Sequence, residues 1–450
     1  MSQIEETKIG FVASIAAAVG ISVGGGLWVT PVVAGSMAGP AVLALGLLVA
    51  VPIFLAFPAY FTLIKAWPRS GGHYFYPSRL LFPESKSLSQ LAGWLSVWLM
   101  TSLSAVSIIQ YMYIPGAQIT SSFTPLSTQQ LILSMMAFSF IVVWFGLRIA
   151  GAVEIVLSTL LLLSIVVIVG PGLQSIDPAN LAPETTPSIG GMAAAFALLY
   201  SVAAASFYTI DFSGGVKDAK DKVTKSIAIA SVTNISAATL VGFVSVGIIS
   251  YTDLADQTLA FVSLQYLPTE LIMIVGFGAA LAGITSGIML IMVLNRYVEA
   301  TSADGLLPDI LAETNRYGEP KYFLALLFLV AASTTFLSLP LSVLATALTL
   351  ALLSTFSIGP LIGVRLSSQF PEVFEREELR STRLLTPTLV RRASIAAVAI
   401  NALSFVYVSL ATPTAFFIYL GLVATGVAIY AARRYQADVL PNRVVDLSAD

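Results

Sequence analysis

Three consecutive glycines, Gly24, Gly25 and Gly26, stand in the middle of an apolar stretch that also carries Pro31. Residues 20–31 read Gly-Ile-Ser-Val-Gly-Gly-Gly-Leu-Trp-Val-Thr-Pro. Each glycine costs a helix roughly 1 kcal/mol relative to alanine, so three in a row predict a helix interrupted at its middle. In lipid, broken backbone is tolerated only where it is buried in protein or lines a cavity, because hydrocarbon offers its N–H and C=O groups nothing. The chemistry of such a break is that of the main chain. A half-helix N-terminus carries partial positive charge and free N–H groups. Val23, Gly24, Gly25 and Gly26 can present these to a carboxylate with little side chain in the way, and freed carbonyls can take an ammonium group. An amino acid carries both groups on one carbon.

Residues 200–215 repeat the oddity in another composition: Tyr-Ser-Val-Ala-Ala-Ala-Ser-Phe-Tyr-Thr-Ile-Asp-Phe-Ser-Gly-Gly. They are expected to form a second interruption facing the first, although Ala203, Ala204 and Ala205 are good helix formers and an ordinary packed helix is the competing reading. Across the two breaks the substrate side chain is expected to meet Ala203, Ser206, Phe207 and Tyr208, with Ser102 and Ser104 from the third apolar run. An acid inside a membrane is a functional-site hypothesis by default. Asp211 is that acid here, with pairing to Lys217 or solvation as its alternatives. A third pattern is Ala282-Gly-Ile-Thr-Ser286, where positions three and four apart share a helical face. Its oxygens suit a hard cation, unless the hydroxyls merely bond back to their own backbone.

These groups need a scaffold, and composition names its class. Of 450 residues, 57% are hydrophobic and 10% charged, and mean hydropathy is +0.89; soluble domains carry about 25% charged residues. The chain reads as an all-α polytopic membrane protein forming a single transmembrane domain over residues 1–450. A net charge of −2 argues against a nucleic-acid partner. The chain has no cysteine and one histidine, His73, which excludes disulfides, thiolate metal sites and histidine cages. No His–Asp or metal constellation is expected in the membrane, so an enzyme and a resident cofactor are not. Residues 1–8 lack the basic start of a secretory signal.

Twelve apolar runs near 20 residues or longer are predicted as transmembrane helices, near residues 10–35, 40–64, 89–116, 129–148, 150–172, 190–212, 224–250, 269–298, 322–339, 342–363, 392–411 and 413–432. Residues 146–148, and Thr412 with Pro413, are the expected turns between the closest pairs. With the N-terminus inside, all 22 Lys and Arg fall on one side. The opposite loops hold only Asp177, Glu184, Asp253, Asp256 and Glu270. The positive-inside rule then places both termini in the cytoplasm of a multi-pass cell-membrane protein. Residues 67–84 are expected as a short helix lying in the interface, 369–392 as a solvated cytoplasmic segment, and 172–190 as a cap on the outer mouth. Unusual segments at matching places in oppositely oriented halves point to an inverted repeat, over about residues 9–172 and 189–363, with helices 11–12 (about 391–432) outside it. Without Lys or Arg on the outer side to receive an anionic side chain, a neutral substrate is favoured.

Four motifs carry a resemblance. They are Gly24-Gly-Gly-Leu27 with Pro31; Pro68-Arg-Ser-Gly-Gly-His-Tyr-Phe-Tyr76; Val216-Lys-Asp218; and Arg296 followed by Asp304-Gly-Leu-Leu-Pro308 and Pro320. Over about residues 9–432 the chain resembles the amino acid–polyamine–organocation transporters, whose most specific signature is the Pro-Arg-Ser-Gly-Gly-x-Tyr-x-Tyr loop. His73 falls on its variable position and is read as structural. The resemblance implies the leucine-transporter fold, a 5+5 inverted repeat with helices one and six broken, plus two C-terminal helices. The sequence departs from the family at Ala203, Ala204 and Ala205, where a glycine-containing break is usual, and at Gly214 and Gly215, where acids are frequent. In sodium-coupled members of the wider fold, an Ala-x-x-Thr-Ser and first-helix carbonyls hold a sodium ion. Ala282, Thr285 and Ser286 match, and Gly20 and Val23 would supply the carbonyls. Some proton-coupled relatives place a fifth-helix lysine there instead. Residues 150–172 hold no lysine, only Glu154, so the resemblance implies symport of an amino acid with Na⁺ rather than H⁺. Rival readings are a proton-coupled or exchange-type carrier of amino acids, polyamines or organic cations on the same fold, and a substrate sensor that does not translocate; residues 437–450 are short for an appended signalling domain.

Overall fold

The computed structural model of the chain describes residues 8–107, 112–182, 187–336, 340–382 and 385–436. Glu184, Arg383, Arg443 and the segment 437–450, to which the sequence reading assigned sides and roles, lie outside the described residues. Among the described residues the regular structure is helical. Helix α1 (Phe11–Val23) and α2 (Gly25–Ala38) are parted by Gly24, whose ψ of −137° leaves the helical region. There follow α3 (Val42–Leu48), α4 (Ala50–Ala66), α5 (Gly72–Leu80), α6 (Lys86–Ser107), α7 (Ile114–Thr120), α8 (Thr128–Trp144), α9 (Leu147–Gln174) and α10 (Ile189–Ala204). From α10 the chain tightens into a 3₁₀ segment, Ala205–Gly215, in which Phe212 leaves helical angles. The remainder is α11 (Ala219–Ile248), α12 (Leu259–Ser263), α13 (Thr269–Ala303), α14 (Lys321–Ser333), α15 (Leu341–Phe356), α16 (Ile358–Gln369), α17 (Glu377–Arg380), α18 (Pro387–Ala411) and α19 (Pro413–Gln436).

Local chemistry sets these boundaries. Ser127 and Gln130 cap α8 reciprocally, and the Ser188 and Thr386 hydroxyls accept from the first turns of α10 and α18. The α8–α9 turn runs through Gly146 at φ 86°, a conformation glycine adopts without penalty. Pro413 starts α19 directly after α18, at the expected turn.

Among the described residues, eight helical stretches are long and apolar enough to cross a membrane, and α1, α8 and α14 are shorter apolar helices. Burial orders them. The most apolar window of α13 is 78% buried, that of α19 only 17%, and α18 and α19 leave Leu403, Leu410 and Phe417 exposed, as lipid-facing helices do. Helix α1 packs on α9, α11, α13 and the 3₁₀ segment, and α2 packs on α10 and α11. The break at Gly24 is therefore enclosed by protein.

Ion pairs gather among the basic loops: Lys65–Asp221, Arg79–Asp304, Lys220–Glu378, Arg365–Glu84 and Arg296 with both Glu299 and Glu319. Burial pushes the Glu319 carboxyl up against the pull of Arg296. Two loop expectations need correction. Residues 67–84 do contain a helix, α5, but His73, Tyr74, Tyr76 and Pro77 are buried. It is drawn inward because the Gly71 N–H donates to Asp211 O at 2.7 Å and the Tyr74 hydroxyl to Asp304 at 2.6 Å. Residues 369–392 are not wholly solvated: Val373, Leu379 and Leu385 are buried, and Arg376 donates to Ala66 O at 2.7 Å while lying over the Trp67 ring. In the 172–190 stretch, the Asp177 N–H donates to Gly247 O at 2.9 Å, fixing it to the end of α11.

Candidate functional site

The break between α1 and α2 frees backbone groups, and α13 supplies partners for them. Ser286 Oγ donates to Gly20 O at 3.2 Å, Thr285 Oγ1 to Ala282 O at 3.0 Å, and Thr285 Oγ1 lies 3.5 Å from Gly20 O. The Gly25 N–H donates to Ser286 Oγ at 3.0 Å, so this amide of the triple glycine faces α13. All five residues are buried. Gly24 marks the middle of the group: a Cβ built on it would overlap Ser286 Oγ and lie 2.6 Å from Gly20 O and 2.7 Å from Ala282 O. Carbonyl and hydroxyl oxygens of α1 and α13 thus converge beside the Gly24 Cα, where only glycine leaves them room. Val23, the last residue of α1, is buried beside them.

Residues two apart on a helix point roughly 200° apart, and Gly26 accordingly faces elsewhere. It lines a cavity of about 60 Å³ with Ser22, Thr30, Met100, Ser104, Met112, Ser201, Ala205, Tyr208 and, from α15, Ala345, Leu348 and Leu352. None of its lining residues is charged. Ser104 Oγ is fully buried and has no hydrogen-bond partner among the described residues. A buried hydroxyl without a partner costs about 1–3 kcal/mol, and a polar ligand in the cavity would relieve it. The Tyr208 hydroxyl donates to the Met100 sulfur at 3.3 Å.

The residues expected at the substrate thus divide. Gly26, Ser104 and Tyr208 reach the cavity. Gly24 and Gly25 turn to the oxygen cage with Gly20, Ala282, Thr285 and Ser286. Ser206 meets Ser231 on α11 at 2.7 Å, and Ala203 O accepts from Ser206 at 3.3 Å. Phe207 stacks on Tyr60 with centroids 4.2 Å apart. Ser102, on α6, is not among the lining residues. Met100, Thr30, Ser201 and the α15 residues were not foreseen. Met100 lies one turn before Ser104 on the same face, and Ala345, Leu348 and Leu352 follow a 3–4 spacing; those are the signals that were available.

Asp211 takes neither of the two alternatives left open for it. It is fully buried and neither solvated nor paired with Lys217. Its Oδ1 accepts from the His73 backbone N–H at 2.9 Å, and its Oδ2 lies 2.7 Å from His73 Nδ1 and accepts from Tyr297 at 2.9 Å. A His–Asp pair therefore does exist in the bundle, contrary to the sequence reading. It is walled by Tyr60, Tyr208 and Phe356 and neither residue lines the cavity. In comparison with known families, the model described as amino acid permease matches residues 9–432.

Proposed function

Because the chain belongs to the amino acid permease family, whose members are membrane transporters and not enzymes, we propose that it is a sodium-coupled symporter of neutral amino acids. One observation carries this reading: the interrupted helix presents an oxygen cage at Gly24 and an uncharged cavity at Gly26, on opposite sides of three residues. Sodium in the cage would be held by Gly20 O, Ala282 O, Thr285 Oγ1 and Ser286 Oγ, with Val23 O adjacent; its charge would stiffen the joint between α1 and α13. The substrate would sit at the cavity, its side chain toward Ser104, Tyr208 and α15. The absence of charge in that lining supports a neutral side chain. A polyamine or organic cation needs an acid there, and Asp211 is committed to His73 and Tyr297.

In this reading the helical runs form twelve crossings, the first ten as a 5+5 inverted repeat of the leucine-transporter type, and access alternates around the fixed site. The segregation of Lys and Arg supports a cell-membrane orientation with both termini in the cytoplasm. The test is uptake of each of the twenty amino acids into proteoliposomes with inward Na⁺, inward H⁺ or no gradient. Uptake of one or more neutral amino acids only with the Na⁺ gradient is expected; uptake that ignores Na⁺ but follows the pH gradient would overturn the coupling. Thr285→Ala with Ser286→Ala should remove the Na⁺ dependence. Each hydrogen-bond-like contact to a charged partner is worth about 1.5–3 kcal/mol, so losing two should weaken sodium binding about a hundredfold or more.

A further inference from the structure

Every ligand in the oxygen cage is neutral, while the ion it fits is not. An unbalanced charge at membrane depth is costly, so a counter-charge is to be sought within reach. One group meets the description. Glu154, two turns into α9, is fully buried. Its Oε2 takes a hydrogen bond from Ser158 at 3.3 Å, and Ser158 Oγ also reaches Ala16 O on α1 at 3.1 Å. Its Oε1 has no partner among the described residues. The carboxylate lies against the same residue that heads the cage: a Cβ on Gly20 would overlap Glu154 Oε2. Gly20 thus carries the cage on its carbonyl side and an acid on its Cα side.

The elements packed against α9 bring no cation to this acid. Helices α1 and α8 contain no titratable residue. On α13, Arg296 is bound to Glu299 and Glu319, Tyr297 is bound to Asp211, and Glu270 lies in the opposite end turn. On α11, Asp221 pairs with Lys65, Lys220 with Glu378 and Lys222 with Asp218, and Lys225 is exposed. Arg148 of α9 itself is exposed at the helix start.

We propose that Glu154 is the charged member of the cation site, its carboxylate balancing a sodium ion held by Gly20, Ala282, Thr285 and Ser286. The inference rests on the sodium reading above and adds a residue to it. Even at an effective dielectric of about 20, a unit charge several ångströms away contributes a few kcal/mol, so its loss should be plain. Glu154→Gln keeps the shape and an acceptor for Ser158 while removing the charge.

The probe is ²²Na⁺ alone, bound to the purified full-length chain in detergent in a scintillation-proximity assay, with Na⁺-dependent thermal stabilisation as a second readout. Native chain, E154Q and T285A/S286A are compared, and melting in choline chloride shows that each is folded. The expected result is binding weakened at least tenfold in E154Q and lost in the double variant. Native affinity in E154Q with loss in the double variant overturns the role of Glu154 and leaves the cage standing. Native affinity in the double variant, or no sodium binding by the native chain, overturns both.

Discussion

A Gly24→Ala chain should bind sodium at least a hundredfold more weakly than the native chain, and its uptake should lose its sodium dependence. The new methyl group has nowhere else to go. It would overlap Ser286 Oγ, which can rotate, but it would also lie 2.6 Å from Gly20 O and 2.7 Å from Ala282 O, which are backbone atoms of two packed helices. Overpacking of this kind costs about 1–3 kcal/mol; here it would also push apart the Gly20, Ala282 and Ser286 oxygens proposed to hold the ion. The same substitution should disturb the Gly25 N–H bond to Ser286, weakening the α2–α13 joint, so a modest fall in melting temperature should accompany it. Sodium titration by thermal shift, followed by uptake with and without Na⁺, separates the two effects. A G24A chain that retains native sodium affinity would show that the cation does not sit at this break.

What the sequence made legible was what acts locally. Three glycines disrupt a helix wherever they stand, and the observed interruption falls on the first of them. Ala282, Thr285 and Ser286 share a face by spacing alone, and Thr285 and Ser286 meet Gly20 as that face requires. The second interruption was half legible. Ala203 and Ala204 stay in α10 as their propensity demands, and the departure begins at Ala205. In a 3₁₀ winding of three residues per turn, neighbours diverge by about 120°, so Tyr208 enters the cavity while Ser206 bonds α11 and Phe207 stacks on Tyr60. A list of consecutive residues could not tell these apart. The cavity wall was illegible for another reason: α2, α6, α10 and α15 each contribute two or three uncharged residues that look like ordinary packing until tertiary contact assembles them. The meeting of His73 with Asp211 is the same case, a pairing across 138 positions of two residues each visible alone.

Asp211→Ala should be the most damaging single change to stability, lowering it by about 3 kcal/mol or more. The carboxylate serves three donors on two other elements: the backbone N–H of His73 and its ring on α5, and the Tyr297 hydroxyl on α13. With the carboxylate accepting, Nδ1 of His73 carries the proton and Nε2 faces the Tyr60 hydroxyl at 3.4 Å. Removing the side chain strands all three donors where His73 is 2% exposed and Tyr297 1%, and each buried donor left unpaired costs about 1–3 kcal/mol. Tyr297→Phe removes one donor and leaves the carboxylate its other two, so about 1 kcal/mol is expected. Because both changes touch one network, their effects should not add: the double variant should be little worse than Asp211→Ala alone, the sign of coupling in a double-mutant cycle. Thermal unfolding of the four purified chains in one detergent decides the matter. Additive effects would mean that Tyr297 and Asp211 act separately, and a native midpoint for Asp211→Ala would mean that the 3₁₀ segment is held by its packing on α1 and α11 and not by this acid.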